Sequence, residues 1–474
     1  MRMFTTLLAA LALVSAGRAG AADAPAAPRP HIILIVSDDQ GYGDFSCHGN
    51  PVLKTPHLDR LHDEGVRFRQ FQVSPTCAPT RSALFSGRHE FKNGVTHTIF
   101  ERERMSLDTT TLAQVLKGAG YRTGVFGKWH LGDEDAYQPD RRGFDEVFIH
   151  GGGGIGQSYP GSCGDAPGNT YFSPAIKHNG TFVKTTGYCT DVFFGQAIRW
   201  MESAKQGPPF FCYLALNAPH APLHVPEDYA ARYAGRVAPE QAKFLGMVAN
   251  LDDNVGRLLA QLTAWGIEKQ TLIIYMNDNG GTAGVPVFSA GLRGRKGTAY
   301  QGGTRAASFW RWPGTLQPAD VNALAAHLDV FPTLAELAGA ALPEAVAQQV
   351  EGRSLVPLLR DPQAPWADRT LVTHVGRWEK GTPPRPYGAC SIRDARFSLV
   401  REGKEWHLFD LAADPGERIN VAADHPEVVA RLSAAYDQWW ADVQPRLVNE
   451  AAWQTAPAVN PFKAQYQQQS HAKE

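Results

Sequence analysis

Cysteine, net charge and long apolar segments are all scarce in this chain of 474 residues, and each scarcity excludes a class of protein. The 46 lysines and arginines nearly balance the 47 aspartates and glutamates, so the chain has no overall attraction to nucleic acid or anionic lipid. After residue 22, no apolar run is long enough to cross a bilayer. The composition therefore predicts neither a nucleic-acid-binding nor a membrane-embedded protein.

The few cysteines give no recognisable framework. They stand at positions 47, 77, 163, 189, 212 and 390, and their spacing matches neither a compact disulfide scaffold nor a zinc site. Cys163 and Cys189 flank a loop segment rich in glycine, proline and asparagine, so they are the one pair for which a disulfide is expected. Cys212, inside the run FFCYLAL, is predicted to be a buried apolar side chain.

The first residues have the pattern of an export signal. A positive charge at Arg2 precedes an apolar run from Leu7 to Val14, and small residues suited to cleavage follow. Residues 1–22 are therefore interpreted as a signal peptide, because the run is too short to stay in a membrane as a helix. The mature protein is predicted to be secreted or periplasmic.

Short apolar runs alternate with helical patterns along the chain. Buried strands that end in polar residues are predicted in HIILIVSDD, GYRTGVFGKWHLG, PPFFCYLALNAPH and TLIIYMNDNGG. Helices are predicted between them, including one with Thr55 as its N-cap and a long one that contains LDDN, whose acids are expected on a solvated face or as local caps. This alternation predicts an α/β fold with a large, mostly parallel sheet covered by helices.

Each of the four predicted strands is followed by side chains that can carry chemistry. They are Asp38 and Asp39 after the first, Lys128 and His130 after the second, His220 after the third, and Asp278 and Asn279 after the fourth. Taken singly, each has an ordinary explanation as a cap, a turn or a loop histidine. Because open α/β sheets bind ligands beyond the carboxyl ends of their strands, the shared position favours a functional site.

The residue types fit one chemistry. The oxygen donors Asp38, Asp39, Asp278 and Asn279 suit Ca²⁺ or Mg²⁺ better than zinc, and Ca²⁺ is the predicted metal. Arg81, Lys128 and Lys296 would make the rest of the pocket cationic, which predicts an oxyanion as substrate. His130 and His220 are able to move protons near neutral pH.

The segment CAPTR, Cys77 to Arg81, opens an apparent helix and resembles the C-x-P-x-R signature of the type I sulfatases. Five further segments resemble motifs of that family in the family's order, namely SDDQGYGD, GYRTGVFGKWHLG, NAPHAP, NDNGG and LRGRKGTAYQGGTR. The resemblance covers nearly the whole mature chain and implies an alkaline phosphatase-like fold. Gln301 replaces a glutamate that many relatives have, a departure expected to lie outside the chemical step.

The resemblance also implies an activity, that of an arylsulfatase-like sulfuric ester hydrolase acting on an aryl or carbohydrate sulfate. It implies that a maturation enzyme oxidises Cys77 to formylglycine, which joins the metal ligands and attacks sulfur as a hydrate to form a sulfated enzyme. The other catalytic residues would be Arg81, Lys128, His130, His220 and Lys296.

Two other functions stay open at this point. A phosphonate monoester or phosphodiester hydrolase would use the same kind of site, since a cationic pocket does not separate sulfur from phosphorus. The other is a non-catalytic protein that binds sulfated glycans. Every catalytic position of the family carries a suitable residue in this chain, which argues against that alternative. The run HGGGG lacks the lysine and hydroxyl context of a phosphate-binding P-loop, so a loop on the substrate side is expected there.

A smaller unit is expected at the C-terminal end. Residues 23–370 are predicted to form the catalytic domain, and residues 371–474 a subdomain with an antiparallel sheet and the amphipathic helix HPEVVARLSAAYDQWWADV. Residues 374–388 are expected either to reach the substrate cleft or to pack between the two units.

Overall fold

The computed structural model describes residues 29–157, 161 and 164–471. The predicted signal peptide and Cys163 lie outside the described residues, so the disulfide between Cys163 and Cys189 stays a prediction. Cys189 is buried at the start of a helix, and Cys212 is fully buried as expected. None of the helices in the described part combines the length and apolarity needed to cross a membrane.

Ten strands of the described chain form one large sheet. They are β1 (His31–Ser37), β2 (Val66–Gln72), β3 (Arg122–Lys128), β4 (Glu146–His150), β5 (Ala175–His178), β6 (Thr181–Lys184), β7 (Phe210–Ala215), β8 (Thr271–Asn277), β9 (Ser308–Arg311) and β10 (Ala319–Ala326). Their order is β10-β2-β9-β8-β1-β7-β3-β4-β5-β6. The five adjacent central strands β8, β1, β7, β3 and β4 are parallel to one another. Strand β9 runs antiparallel to β8 and β2, β5 runs antiparallel to β4, and β5 and β6 form an antiparallel hairpin. The predicted α/β fold with a mostly parallel sheet is confirmed.

Helices cover both faces of this sheet. In chain order they are α1 (Pro56–Asp63), α2 (Cys77–Ser86), α3 (Leu112–Gly118), α4 (Cys189–Ala204), α5 (Glu227–Ala231), α6 (Pro239–Ala264), α7 (Gln301–Thr304), α8 (Val330–Leu337), α9 (Glu344–Gln349) and α10 (Val356–Arg360). Alternate side chains of β1 enter two separate cores: Ile32 and Leu34 pack with α2, α3 and α8, and Ile33 and Ile35 pack with α1, α4 and α6. Burial on both faces explains why β1 is a continuous apolar run.

The smaller C-terminal sheet is antiparallel, as predicted. It contains β11 (Leu371–His374), β12 (Cys390–Arg393), β13 (Phe397–Glu402) and β14 (Glu405–Asp410), and it is followed by α11 (Pro426–Val443) and α12 (Pro461–His471). Its core holds Trp378, Ile392 and Leu432. Because Trp378 is buried there and lies under the guanidinium of Arg102, it packs between the two units and is not free to stack on a sugar. The domain boundary at residue 370 stays a prediction.

One expectation about the long helix α6 is wrong. Asp252 is 1% exposed, and its carboxylate accepts the backbone N–H groups of His57 and Leu58 at 2.7–3.2 Å. It thus caps the N-terminus of α1 from another helix. Thr55 occupies the N-cap position, as predicted, but its hydroxyl donates to Asp59 and makes no cap hydrogen bond. Periodicity could not show this, because the two partners are far apart in the sequence.

Replacing Asp252 with alanine should lower the free energy of unfolding by about 1–2 kcal/mol, because two buried N–H groups at the start of α1 lose their acceptor. The neighbouring Asp253 is the matched control, since its carboxylate is 41% exposed and pairs only with surface groups. Asp253→Ala should change stability by less than about 0.5 kcal/mol. Equal losses for both variants in denaturant titrations would show that the cap is not the cause.

Candidate active site

The structure brings the four predicted strand ends together. Because β8, β1, β7 and β3 are adjacent and parallel, their carboxyl ends lie at one edge of the sheet. Lys128 is the last residue of β3, Asp38 follows β1 directly, and Asp278 follows β8 directly. The close contact of β3 with β7 requires Gly127, since a Cβ there would stand 2.0 Å from the carbonyl oxygen of Ala215.

Two buried ion pairs join these strand ends. Nζ of Lys128 lies 2.6 Å from Oδ2 of Asp38, and both side chains are fully buried. Nζ of Lys296, from the loop before α7, lies 2.5 Å from Oδ1 of Asp39. The amide of Asn279 also donates to Oδ1 of Asp39 at 3.0 Å. The late lysine of the sequence pattern is thus part of the same cluster.

The third cation holds the third carboxylate. Arg81 donates from Nε and Nη2 to Oδ2 of Asp278 at 3.1 and 2.8 Å, and both side chains are fully buried. The same guanidinium donates to the hydroxyl of Tyr213 at 3.3 Å and to the carbonyl of Leu216 at 3.2 Å. Arg81 is therefore held by acceptors from β7, from the residue after β7 and from the end of β8. The sequence analysis did not single out Tyr213, which lies within an ordinary apolar strand.

Burial and the neighbouring cations shift the pKa values of the aspartates in opposite directions. Burial raises the pKa of Asp38 to about 7 despite the ammonium of Lys128, and burial together with Asp38 raises the pKa of Asp278 to about 6. Burial would also raise the pKa of Asp39, but Lys296 and His220 hold it below its usual range. Three carboxyl groups at this density need cations around them to stay ionised.

The donor set fits a divalent cation. Oδ1 of Asp38 and Oδ1 of Asn279 are buried and have no hydrogen-bond partner within the described residues. Ligand atoms of Asp38, Cys77 and Asp278 lie within 4.8 Å of one another, as do those of Asp38, Asp39 and His220. Buried oxygens without donors are what hard cations such as Ca²⁺ or Mg²⁺ bind. His220, predicted at the same edge of the sheet, lies beside this acidic cluster.

Cys77 is the first residue of α2, where backbone N–H groups favour an anion. It is 2% exposed, and the elements that carry Asp38, Lys128, Lys296 and Asp278 surround it. Burial opposes ionisation of its thiol, but Lys128 and Lys296 hold its pKa below the ordinary value. This residue therefore lies between the buried carboxylates and the cations.

His130 and His220 differ in which ring nitrogen is hydrogen-bonded to a backbone carbonyl. His130 has Nε2 at 2.9 Å from the carbonyl oxygen of Thr98, so Nε2 carries the proton, and the buried Nδ1 has no hydrogen-bond partner among the described residues. His220 has Nδ1 at 2.6 Å from the carbonyl of Ala221, which leaves Nε2 facing Asp39 at 3.8 Å from Oδ2. His130 thus presents a bare nitrogen base, and His220 presents a nitrogen next to a carboxylate.

Asp39 and His130 also share an uncommon backbone conformation. Their φ angles are +66° and +60°, in the left-handed region that few residues other than glycine adopt. Such conformations persist where the surrounding structure holds them, and they cluster at functional sites. Neither angle was predictable from the sequence.

The glycine run after β4 lies against both histidines. A Cβ on Gly153 would be 3.2 Å from Cε1 of His130, and one on Gly154 would be 3.1 Å from Nδ1 of His220. Gln157, in the same loop, lines a polar cavity of about 330 Å³ together with Glu101, Arg104 and other residues. This loop therefore lies beside the two histidines, and its position on the substrate side stays a prediction.

The C-terminal unit contacts the site through a second layer of residues. Arg377 donates to the hydroxyl of Thr98 at 3.1 Å, and the carbonyl of Thr98 holds His130. Gln301 is buried and accepts a hydrogen bond from Arg393 of β12 at 3.2 Å, so its role is to join the two sheets. Trp378 of segment 374–388 therefore packs between the two units, and whether other residues of the segment reach the substrate cleft stays a prediction.

Comparisons with known proteins identify the family. The family described as Sulfatase matches residues 30–340, and the family described as N-sulphoglucosamine sulphohydrolase, C-terminal, matches residues 295–439. The chain belongs to the type I sulfatase family. Two named relatives of this sulfatase are arylsulfatase A of Homo sapiens, 32% identical over 85% of this chain and 86% of that protein, and an N-acetylgalactosamine-6-O-sulfatase of Bacteroides thetaiotaomicron, 30% identical over 85% and 92%.

A solved structure agrees with this assignment. The crystal structure of Ps i-CgsB in complex with k-i-k-neocarrahexaose superposes on this sulfatase with a TM-score of 0.79 at 27% identity, covering 93% of this chain and 98% of that one. The predicted enzyme class, a hydrolase of sulfate esters, is confirmed. The individual roles of the site residues stay predictions.

Proposed function

We propose that this sulfatase releases sulfate through a formylglycine that a maturation enzyme makes from Cys77. The observation that supports this most is the position of Cys77, at the start of α2 between two ammonium groups and three carboxylates. Maturation enzymes act on exported or export-competent chains, and the pattern of residues 1–22 supports a secreted or periplasmic location. The motif C-x-P-x-R at residues 77–81 supplies the recognition sequence.

The chemistry needs two hydroxyl groups on one carbon. One hydroxyl of hydrated residue 77 attacks sulfur, the S–O bond to the alcohol breaks, and the alcohol leaves with a proton. The second hydroxyl then loses its proton, the C–O bond to sulfate breaks, and the aldehyde returns as sulfate departs. Water restores the hydrate. We assign the proton given to the alcohol to His220, and the proton taken from the second hydroxyl to Nδ1 of His130.

We propose Ca²⁺ as the bound metal, held by Asp38, Asp39, Asp278, Asn279 and the oxidised residue 77. When bound, the ion would draw electron density from the sulfate oxygens and neutralise their charge. The charges of the chain itself support this: the carboxylates of Asp38, Asp39 and Asp278 cancel the cations of Arg81, Lys128 and Lys296. A divalent ion would therefore give the site two net positive charges, which match the two negative charges of released sulfate.

Removing a metal ligand should lower metal content and activity together. We expect Asp39→Asn or Asp278→Asn to reduce bound Ca²⁺ and kcat/KM by more than about 100-fold. In metalloproteins, replacing a residue that only hydrogen-bonds to a metal ligand already lowers metal affinity or activity by about 10–100-fold. Elemental analysis of purified protein measures the first quantity. Asp329→Asn is the control, since Asp329 is equally buried and its carboxylate is engaged by the backbone N–H groups of Ala326 and Arg353 and by the guanidinium of Arg369. Unchanged metal in both ligand variants would refute the assignment.

We propose a carbohydrate sulfate as the substrate, with aryl sulfates as poorer or surrogate substrates. Two comparisons support this, since one relative is named for N-acetylgalactosamine 6-sulfate and one solved structure contains a carrageenan oligosaccharide. The cavity at Gln157 also supports it, because its lining is mostly polar and charged, which suits hydroxyl groups better than a sterol or other apolar alcohol. A panel of defined sulfated disaccharides, scored by released sulfate, tests the class and the ring position.

Sulfatase and phosphatase activity can be distinguished with two substrates that differ only in the ester group. Rates of hydrolysis of a sulfate ester and a phosphate ester of the same alcohol should favour the sulfate ester by a large factor. A ratio near one or below it would assign this site to phosphorus chemistry, whatever the family.

A further inference from the structure

A second cluster of metal-binding side chains lies outside the active site. It consists of Cys47 and His48, in the short turn Ser46–His48, and His62 near the end of α1. Their ligand atoms, one from each side chain, all lie within 4.8 Å of one another. All three residues are partly exposed, so the cluster lies close to the surface. Nothing in the chemistry of sulfate ester hydrolysis uses this cluster.

The hydrogen bonds of the two imidazoles leave one nitrogen of each ready to bind. Nδ1 of His48 lies 2.6 Å from the carbonyl oxygen of Tyr42, and Nδ1 of His62 lies 2.7 Å from Oδ1 of Asp63. Carbonyl and carboxylate oxygens only accept, so Nδ1 carries the proton in both rings and Nε2 has the lone pair. Nε2 of His62 is buried without a hydrogen-bond partner among the described residues. Metal-binding histidines are held in this way, with the other nitrogen donating to an oxygen.

The turn that carries Cys47 is held rigidly. The carboxylate of Asp59 accepts the backbone N–H of Cys47 at 3.0 Å and the hydroxyl of Ser46 at 2.6 Å. Burial and the charge of Asp59 raise the pKa of the Cys47 thiol, while burial lowers the pKa of His48 to about 3. Without metal, therefore, the thiol is protonated and the imidazole is neutral. A bound metal would replace the thiol proton, so binding should release a proton.

We propose that Cys47, His48 and His62 bind one Zn²⁺ ion, with a water molecule as the fourth ligand. One thiolate and two imidazoles favour zinc over the hard cations that the active site suits. With zinc–ligand distances of about 2.0–2.3 Å, tetrahedral ligand atoms stand about 3.5 Å apart. Since the present separations are at most 4.8 Å, the ligand atoms need to approach one another by no more than about 1.3 Å. The two carboxylates nearby are already engaged by hydrogen bonds, which leaves the fourth position to water.

The site is coupled to the loop that carries the active-site aspartates. The ring of His48 stacks on Tyr42 at a centroid distance of 4.0 Å, and Tyr42 is three residues beyond Asp39. The guanidinium of Arg305 covers the same tyrosine ring at 4.4 Å. An ion held by His48 would therefore restrain residues 39–48 as one unit. Its expected effect is on stability, because none of its three ligands contacts the residues assigned to the reaction.

The test uses the full chain, saturated with Ca²⁺ and stripped of transition metals. Added Zn²⁺ should bind at one ion per chain, release a proton and raise the melting temperature by about 2–4 °C at a 100-fold excess over Kd. Co²⁺ in its place should give a thiolate-to-cobalt charge-transfer band. This readout needs no substitution.

Variants then assign the ligands. Cys47→Ser and His62→Gln should lose the cobalt band and the temperature shift while still releasing sulfate, and His407→Gln, a histidine of β14 outside the cluster, should keep both. If zinc only displaces calcium from the active site, it will bind equally to Cys47→Ser and inhibit the enzyme, which would overturn the proposal. No binding to calcium-saturated protein, or no thiolate-to-cobalt band in the wild-type protein, would overturn it as well.

Discussion

Cys77→Ala should abolish release of sulfate, with kcat lower by about 10⁴-fold or more, as when a covalent nucleophile is removed from other enzymes. The physical reason is that no other group of the site can both attack sulfur and expel sulfate by collapsing to an aldehyde. In active wild-type protein, the peptide that contains residue 77 should be lighter than the thiol form by the difference between CH₂SH and CHO. Mass spectrometry of the digested protein measures this.

The matched control is Cys212→Ala, another buried cysteine, which lies in β7 away from the reacting groups. It should cost some stability through the cavity that it leaves, but it should not change the chemistry. Active protein that carries only an unmodified thiol at residue 77 would refute the formylglycine mechanism. The membership of the chain in the sulfatase family would be unaffected.

His220→Ala should have its largest effect on substrates with poor leaving groups. If His220 protonates the departing alcohol, its loss should reduce turnover of alkyl or sugar sulfates by about 10²–10⁴-fold and largely spare nitrophenyl sulfate, which leaves without a proton. His130→Ala should slow the release of sulfate from the enzyme for every substrate, because the bare Nδ1 of His130 is the assigned base. Sulfated enzyme should then accumulate.

The measurement compares log kcat/KM with the pKa of the leaving group for both variants, together with the intact mass after addition of substrate. A steeper slope is expected for His220→Ala and a trapped sulfate adduct for His130→Ala. His178→Ala serves as a control, since this histidine pairs with Glu146 at the edge of the sheet. Parallel slopes with no adduct would show that the histidines only orient their neighbours.

Several features of the fold could be predicted because they depend on local sequence. The strands β1, β7 and β8 are continuous apolar runs followed by polar residues, and β3 has a shorter apolar centre before Lys128. The hairpin of β13 and β14 was also predicted, although the first four residues of β13 are all buried and do not alternate with exposed ones. The short strand β9, Ser308–Arg311, has only four residues and runs antiparallel between β2 and β8, so no periodic pattern marks it. Its place is decided by the strands on either side.

Within the site, the sequence determined the residue types and the tertiary structure determined their pairing. The order of motifs pointed to Asp38, Lys128, Asp278 and Cys77 as neighbours, because strand ends of a parallel sheet share one edge. It could not show that Lys128 binds Asp38 while Lys296 binds Asp39, or that the carbonyl of Thr98 leaves Nδ1 of His130 bare. Such choices depend on distances of a few ångströms between distant segments.

The sequence by itself therefore determined the parallel sheet, the sulfatase motifs and the oxygen donors for a hard cation. Each of these depends only on residue types and on their order within short segments. Only the tertiary structure decided that Asp252 caps α1 and that His62 meets Cys47 and His48. Contacts of this kind join residues from different elements, and their geometry is set by how the helices pack on the sheet. The spacing of residues along the chain does not indicate how the helices pack on the sheet.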